Sequence, residues 1–243
     1  MIAIILCILA NVGIFLSFRL FQYYRLNTFQ AIAVNYVICV LTGIVFKGWA
    51  PVRDAILSPE PWLIWAALLG ILFIGTFYLM ARTTQVYSMT VASIATKMSL
   101  IIPVLFSLLV LGTRSRDYTV FNYAGILIAL AAILLSSMKR KPGHELKSGS
   151  ALFLLPISVF LLGGTIDTVL NTVNQRYLSE EKEAIFPVFI FLTAGLIGMV
   201  ILLIRRVKLS ISSLIGGFFL GIVNYFSVYF LLMALRNFSN DGA

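Results

Sequence analysis

Charged side chains are scarce in this sequence. Only 11% of its 243 residues are Asp, Glu, Lys or Arg, and just nine are acids. Soluble domains carry about a quarter charged residues, so a soluble fold of this chain would leave apolar surface open to water. Histidine is nearly missing: the single one, His144, lies in a polar stretch. No apolar block therefore holds a Ser–His pair or a His/Cys/carboxylate cluster, and the apolar block at about 150–172 offers one acid, Asp167, without a second, which argues against an enzyme. The two cysteines, Cys7 and Cys39, sit inside apolar blocks without metal-type spacing and read as small buried hydrophobes. No Lys or Arg precedes Arg19, so the chain lacks the charged start of a secretory signal and its first block reads as a retained helix. There is no phosphate-gripping glycine loop for ATP, and nothing else calls for a cofactor. The net charge of +9 sits in short basic clusters between apolar blocks, such as Lys139-Arg140-Lys141 and Arg205-Arg206, without a nucleic-acid fingerprint.

What is present is apolar. Hydrophobic residues make up 60% of the chain and mean hydropathy is +1.02. Several blocks reach the roughly 20 residues needed to cross a hydrocarbon core about 30 Å thick. Backbone groups in lipid must be satisfied within each span, so the blocks predict helices. Eight are expected, over about 2–19, 29–46, 62–81, 87–111, 119–138, 150–172, 184–204 and 213–235. The fold expected is an all-α polytopic membrane bundle. Trp49, Trp62 and Trp65 flank a loop bearing Pro51, Pro59 and Pro61, and mark one headgroup layer. Gly217 and Gly221, Ala66 and Gly70, and Gly125 and Ala129 stand four apart and predict close helix packing.

The two ends of the sequence echo each other. LTGIV at 41–45 matches LTAGLIGMV at 192–200, and Leu69-Gly70 matches Leu220-Gly221. Tyr78 matches Tyr229, and Met80-Ala81 matches Met233-Ala234. The common offset, roughly 150 residues, reads as a duplication. A first unit of five helices (1–138), a polar loop (139–149) and a second unit of three (150–243) follow. An odd count inverts the second copy in the membrane, the plan of many secondary transporters. Residues 1–81 should then superpose on 150–234 about an axis in the membrane plane, and about two further spans are expected to complete the second unit.

The stretch VASIATKMSLIIPVLFSLLVLG at 91–112, followed by FNYAGILIALAAILLSS at 121–137, resembles the EamA-type repeat of the drug/metabolite transporter superfamily. In that family a fourth helix rich in small residues carries a central proline, here Pro103. It ends in a Leu-Gly-Glu type turn, where this sequence departs with Leu111-Gly112-Thr113. GIVNYFSVYFLLMALRN at 221–237 resembles the third helix of the family's second repeat. The resemblance implies ten helices and a cavity lined by helices one, three, four, six, eight and nine; the location expected is the plasma membrane. The resemblance also places Asn11, Tyr78, Asn224 and Tyr225 near that cavity. On the family's scheme, with both ends in the cytoplasm, seven bases fall inside and ten outside, so the positive-inside rule favours the reverse and orientation stays open.

Two ionisable residues fall deep in expected spans, Lys97 and Asp167. A charge at the bilayer centre is costly and marks a cavity or a partner. Asp167, Asn171 and Asn174 share one helical face. The expectation is a secondary transporter for a small organic solute. Lys97 would draw an anionic substrate group or hold Asp167, and Asp167 would carry a coupling proton. A non-transporting membrane protein or assembly partner is the alternative. Substrate and lipid bilayer are the partners expected; the oligomeric state stays open.

Overall fold

The computed structural model describes residues 2–109, 124, 128, 150–206 and 208–240. Within them the chain forms α1 (Ile2–Tyr23), α2 (Thr28–Lys47), α3 (Trp49–Leu57), α4 (Trp62–Val86), α5 (Met89–Met98), α6 (Ile101–Leu109), α7 (Ser150–Tyr177), α8 (Phe186–Ile204) and α9 (Ile211–Asn240), with no strand among them. Six helices (α1, α2, α4, α7, α8 and α9) are long and apolar enough to cross a membrane. Eight were expected. The expected fifth helix and the loop 139–149 lie almost wholly outside the described residues. The expected fourth is not one rod but two pieces, α5 and α6.

Local chemistry explains the ends. Asn27 caps α2 by accepting from Gln30 N at 3.2 Å, and Ser88 caps α5 by accepting from Val91 N at 3.2 Å. Gly48 joins α2 to α3 at φ +87°, a conformation open to glycine. The expected loop after it is partly helical: Pro51 sits in the first turn of α3, where its missing N–H costs nothing.

The bundle centres on α2, α4, α8 and α9. Helices α2 and α8 run antiparallel: a Cβ on Gly198 would lie 3.0 Å from Ala33 Cβ, while one on Gly43 would strike Val188. Midway, the rings of Tyr36 and Phe191 stack at 5.8 Å, inclined by 24°. Helix α4 packs alongside α8 at Gly70, where an added Cβ would come within 2.6 Å of Ile190 O. Helix α9 packs alongside α2 at Gly221, within 2.7 Å of Asn35 O. Such small residues let backbones touch, as dispersion-driven association in lipid requires. Helix α1 lies against α9, and α7 against α4. Helix α1 exposes Ile5, Ile8, Leu9 and Val12, a face suited to lipid.

Candidate functional site

The site begins with Pro103. A proline in a helix has no N–H for the carbonyl four residues back, and its ring pushes that carbonyl away. That carbonyl belongs to Ser99, which accepts instead from Ile102 N at 2.9 Å, while Leu100 N turns back to Lys97 O at 3.3 Å. The helix breaks at Ser99–Leu100. Helix α7 fits into the break through a glycine pair: a Cβ on Gly164 would sit 2.8 Å from Ser99 O, and one on Gly163 would lie 3.2 Å from Ser99 Oγ.

One turn further along α7 stands Asp167. Ser99 is fully buried. Its hydroxyl donates to Thr96 O at 2.5 Å and stands 3.4 Å from Asp167 Oδ2; the single proton serves one acceptor at a time. On the α1 side, Cys7 is near enough to interact electrostatically with Asp167, and its thiol reaches Ser227 O of α9 at 3.6 Å. With Cys7 of α1 nearby and α9 behind Cys7, the end of α5 thus meets α7 at one carboxylate. Among the described residues no Lys or Arg lies within ion-pair distance of it.

This corrects the expected Lys97–Asp167 pair. Lys97 is exposed, because α5 turns Ala92 and Ala95 into the bundle and position 97 falls on the other side. The remaining predicted residues scatter. Asn11 is exposed and donates to Cys7 O of its own helix at 2.9 Å. Asn171 accepts from Gln175 at 3.2 Å. Asn174 is buried and donates to Leu232 O at 3.3 Å, tying α7 to α9, with its carbonyl oxygen left without a partner. Tyr78 is 39% exposed and packs edge-on against Phe29.

Asn224 and Tyr225 are fully buried in helix contacts. Asn224 donates to Asn35 Oδ1 at 3.2 Å, and Cys39 Sγ donates to Gly221 O at 3.2 Å. Tyr225 OH donates to Ala184 O at 2.9 Å. These groups join α2 and the α7–α8 turn to α9. Ser99, Cys7 and Asn35 were missed by sequence reasoning. The signal for Ser99 was its place four residues before Pro103; nothing local marked the other two. Among the described residues no cluster of three or more His, Cys, Asp or Glu is placed to hold a metal.

Six apolar spans packed this way define a multi-pass α-helical membrane protein. The chain is similar to an uncharacterized protein of Haemophilus influenzae, at 24% identity over 246 aligned residues that take in 98% of this chain and 80% of that protein. No family model matches the chain, and no solved structure matches it significantly.

Proposed function

We propose that this protein is a secondary transporter that carries a small organic solute across the plasma membrane by alternating access, not an enzyme. The observation that carries the reading is Asp167: an acid without a cationic partner among the described residues, set beside a broken helix where the end of α5 meets α7. Broken helices build the midplane sites of many transporters, because freed carbonyls and half-helix C-terminal ends favour cations. The C-terminal end of α5 and Asp167, when it has given up its proton, both favour positive charge. The transported group is therefore a cation, such as a protonated amine, or a proton exchanged for one.

Two inverted halves are supported by reciprocal contacts. An offset of 155 residues carries α2 onto α8 (Gly43 to Gly198, Ala33 to Val188). An offset of 151 carries α4 onto α9 (Gly70 to Gly221, Ile74 to Tyr225). Under this exchange one contact set becomes the other: Gly43 faces Val188 and Tyr225, while Gly198 faces Ala33 and Ile74. Tyr36 maps onto Phe191, its own stacking partner. Because α2 and α8 are antiparallel there, the two-fold relating them lies across the helices, in the membrane plane, as an inverted repeat requires. The reading accords with the EamA-type resemblance, whose members have such halves.

The test is flux. The full chain is reconstituted in proteoliposomes holding a pH-sensitive dye, and gradients of tetraethylammonium or small primary amines are imposed. Cation-driven proton movement that Asp167→Asn abolishes supports the proposal. No flux with cations, anions or zwitterions would sink the transport reading and favour a non-transporting assembly partner. Flux that Asp167→Asn leaves intact would sink the assignment of the site.

A further inference from the structure

Away from Asp167, α7 presents a second face. There a groove of about 400 Å³ opens between α4, α6 and α7, within the size range of ligand pockets. Its walls are Trp65, Ile102, Phe106, Val169 and Val173. Three threonines line its floor, yet their hydroxyls are already engaged. Thr165 donates to Leu161 O at 2.9 Å, Thr168 to Gly164 O at 2.7 Å and Thr172 to Thr168 O at 2.8 Å. What remains toward the groove is largely apolar.

One end of the groove is different. Arg176 and Tyr177 stand at the last turn of α7, both exposed, with Trp65 beside them, 37% exposed. Among the described residues Arg176 has no ion-pair partner. Tryptophan and tyrosine favour the headgroup layer, and Trp65 lies in the first turn of α4. From Thr165 to Tyr177 the groove follows twelve residues of helix, about 18 Å, close to half of a hydrocarbon core about 30 Å thick. An apolar slot one leaflet deep with a cation at its headgroup end matches an anionic lipid in both length and charge.

We infer that this groove binds an anionic phospholipid, with one acyl chain along the threonine floor and the phosphate against Arg176. The inference stands apart from the transport reading and does not need it.

The full chain in neutral detergent is titrated with phosphatidylglycerol, and thermal unfolding is followed. Phosphatidylcholine, glycerol phosphate and a free fatty acid are run beside it. Phosphatidylglycerol should raise the unfolding temperature while the other three give smaller shifts. Arg176→Gln should weaken phosphatidylglycerol about tenfold, as expected for a lost charge-assisted hydrogen bond, and bring it level with phosphatidylcholine. Thr172→Trp, which fills the groove, should remove the difference between the lipids. If that variant fails to fold, quenching decides: acyl-brominated phosphatidylglycerol should quench a fluorescence component that Trp65→Phe deletes. Equal stabilisation by phosphatidylcholine would overturn the role of Arg176. An equal shift with glycerol phosphate or fatty acid would overturn the whole-lipid assignment. Undiminished binding in Thr172→Trp, or no Trp65 quenching, would overturn the groove as its seat.

Discussion

Arg236, at the end of α9, clasps the turn between α7 and α8. Its Nε lies 3.3 Å from Glu183 Oε1, and its Nη2 lies 3.1 Å from Glu180 Oε1. The Glu183 side chain is only 3% exposed and that of Arg236 19%, so this is a largely desolvated pair. Its geometry is an ion pair by distance and not a well-directed hydrogen bond, since Glu183 Oε1 finds no such partner.

Burial pushes the Glu183 carboxyl above its ordinary value, and Arg236, which works the other way, does not fully offset it. The folded state therefore holds the Glu183 proton more tightly than the unfolded chain does. On this account stability falls as pH rises above the unfolded carboxyl value of 4.5 toward the raised folded value. Arg236→Met strands Glu183. Removing one partner of a buried pair costs about 3–5 kcal/mol; because Glu183 can escape by taking up a proton, we expect about 3 kcal/mol at pH 8 and about 1 kcal/mol at pH 5. At about 2–4 °C per kcal/mol for a chain of this size, the pH 8 deficit is roughly 6–12 °C. Intrinsic tryptophan fluorescence of the full chain in micelles during heating reads it. Glu180→Gln is the control, since that side chain is 83% exposed and such pairs contribute at most about 1 kcal/mol. An Arg236→Met protein that melts with wild type at pH 8, or whose deficit is the same at both pH values, would refute the reasoning.

Three further outcomes are expected. Gly70→Val and Gly221→Val should each destabilise by at least the roughly 1–3 kcal/mol of overpacking, because the new Cβ meets backbone oxygens at 2.6 and 2.7 Å; thermal unfolding of both checks this, and tolerance of either would contradict the close contact. Pro103→Ala should restore a continuous helix through Ser99 and raise helicity by circular dichroism while reducing flux; unchanged flux would separate the break from function. Lys97→Ala should leave both unfolding temperature and flux near wild type, since the side chain is exposed, whereas Asp167→Asn should not; loss of flux in Lys97→Ala would restore Lys97 to the mechanism.

Much of this architecture is written in the sequence, because lipid leaves little choice. A run of about 20 apolar residues can satisfy its backbone only as a helix, so the six long spans follow from composition and length. Reach and packing were partly legible too: Gly70 and Gly221 stood out by spacing, and both sit at backbone contacts. Asp167 was visible as a rare intramembrane acid, and Pro103 as the proline of its helix. That this proline splits its helix at Ser99 was derivable from one residue's missing N–H, yet the expectation drew a single rod.

The rest needed the tertiary structure. Whether a residue on a helix faces the bundle or the lipid depends on the rotation of that helix, and an apolar block with little amphipathic pattern does not encode it. Lys97 and Asp167 looked like partners on cost alone; the packing of Ala92 and Ala95 turned Lys97 outward and left Asp167 with Ser99 and Cys7. Asn35 and Asn224, 189 positions apart, meet only because α2 and α9 lie side by side. Hydropathy depends on each residue's own chemistry and is read in order along the chain. Contacts depend on which helix stands next to which, and only the folded bundle decides that.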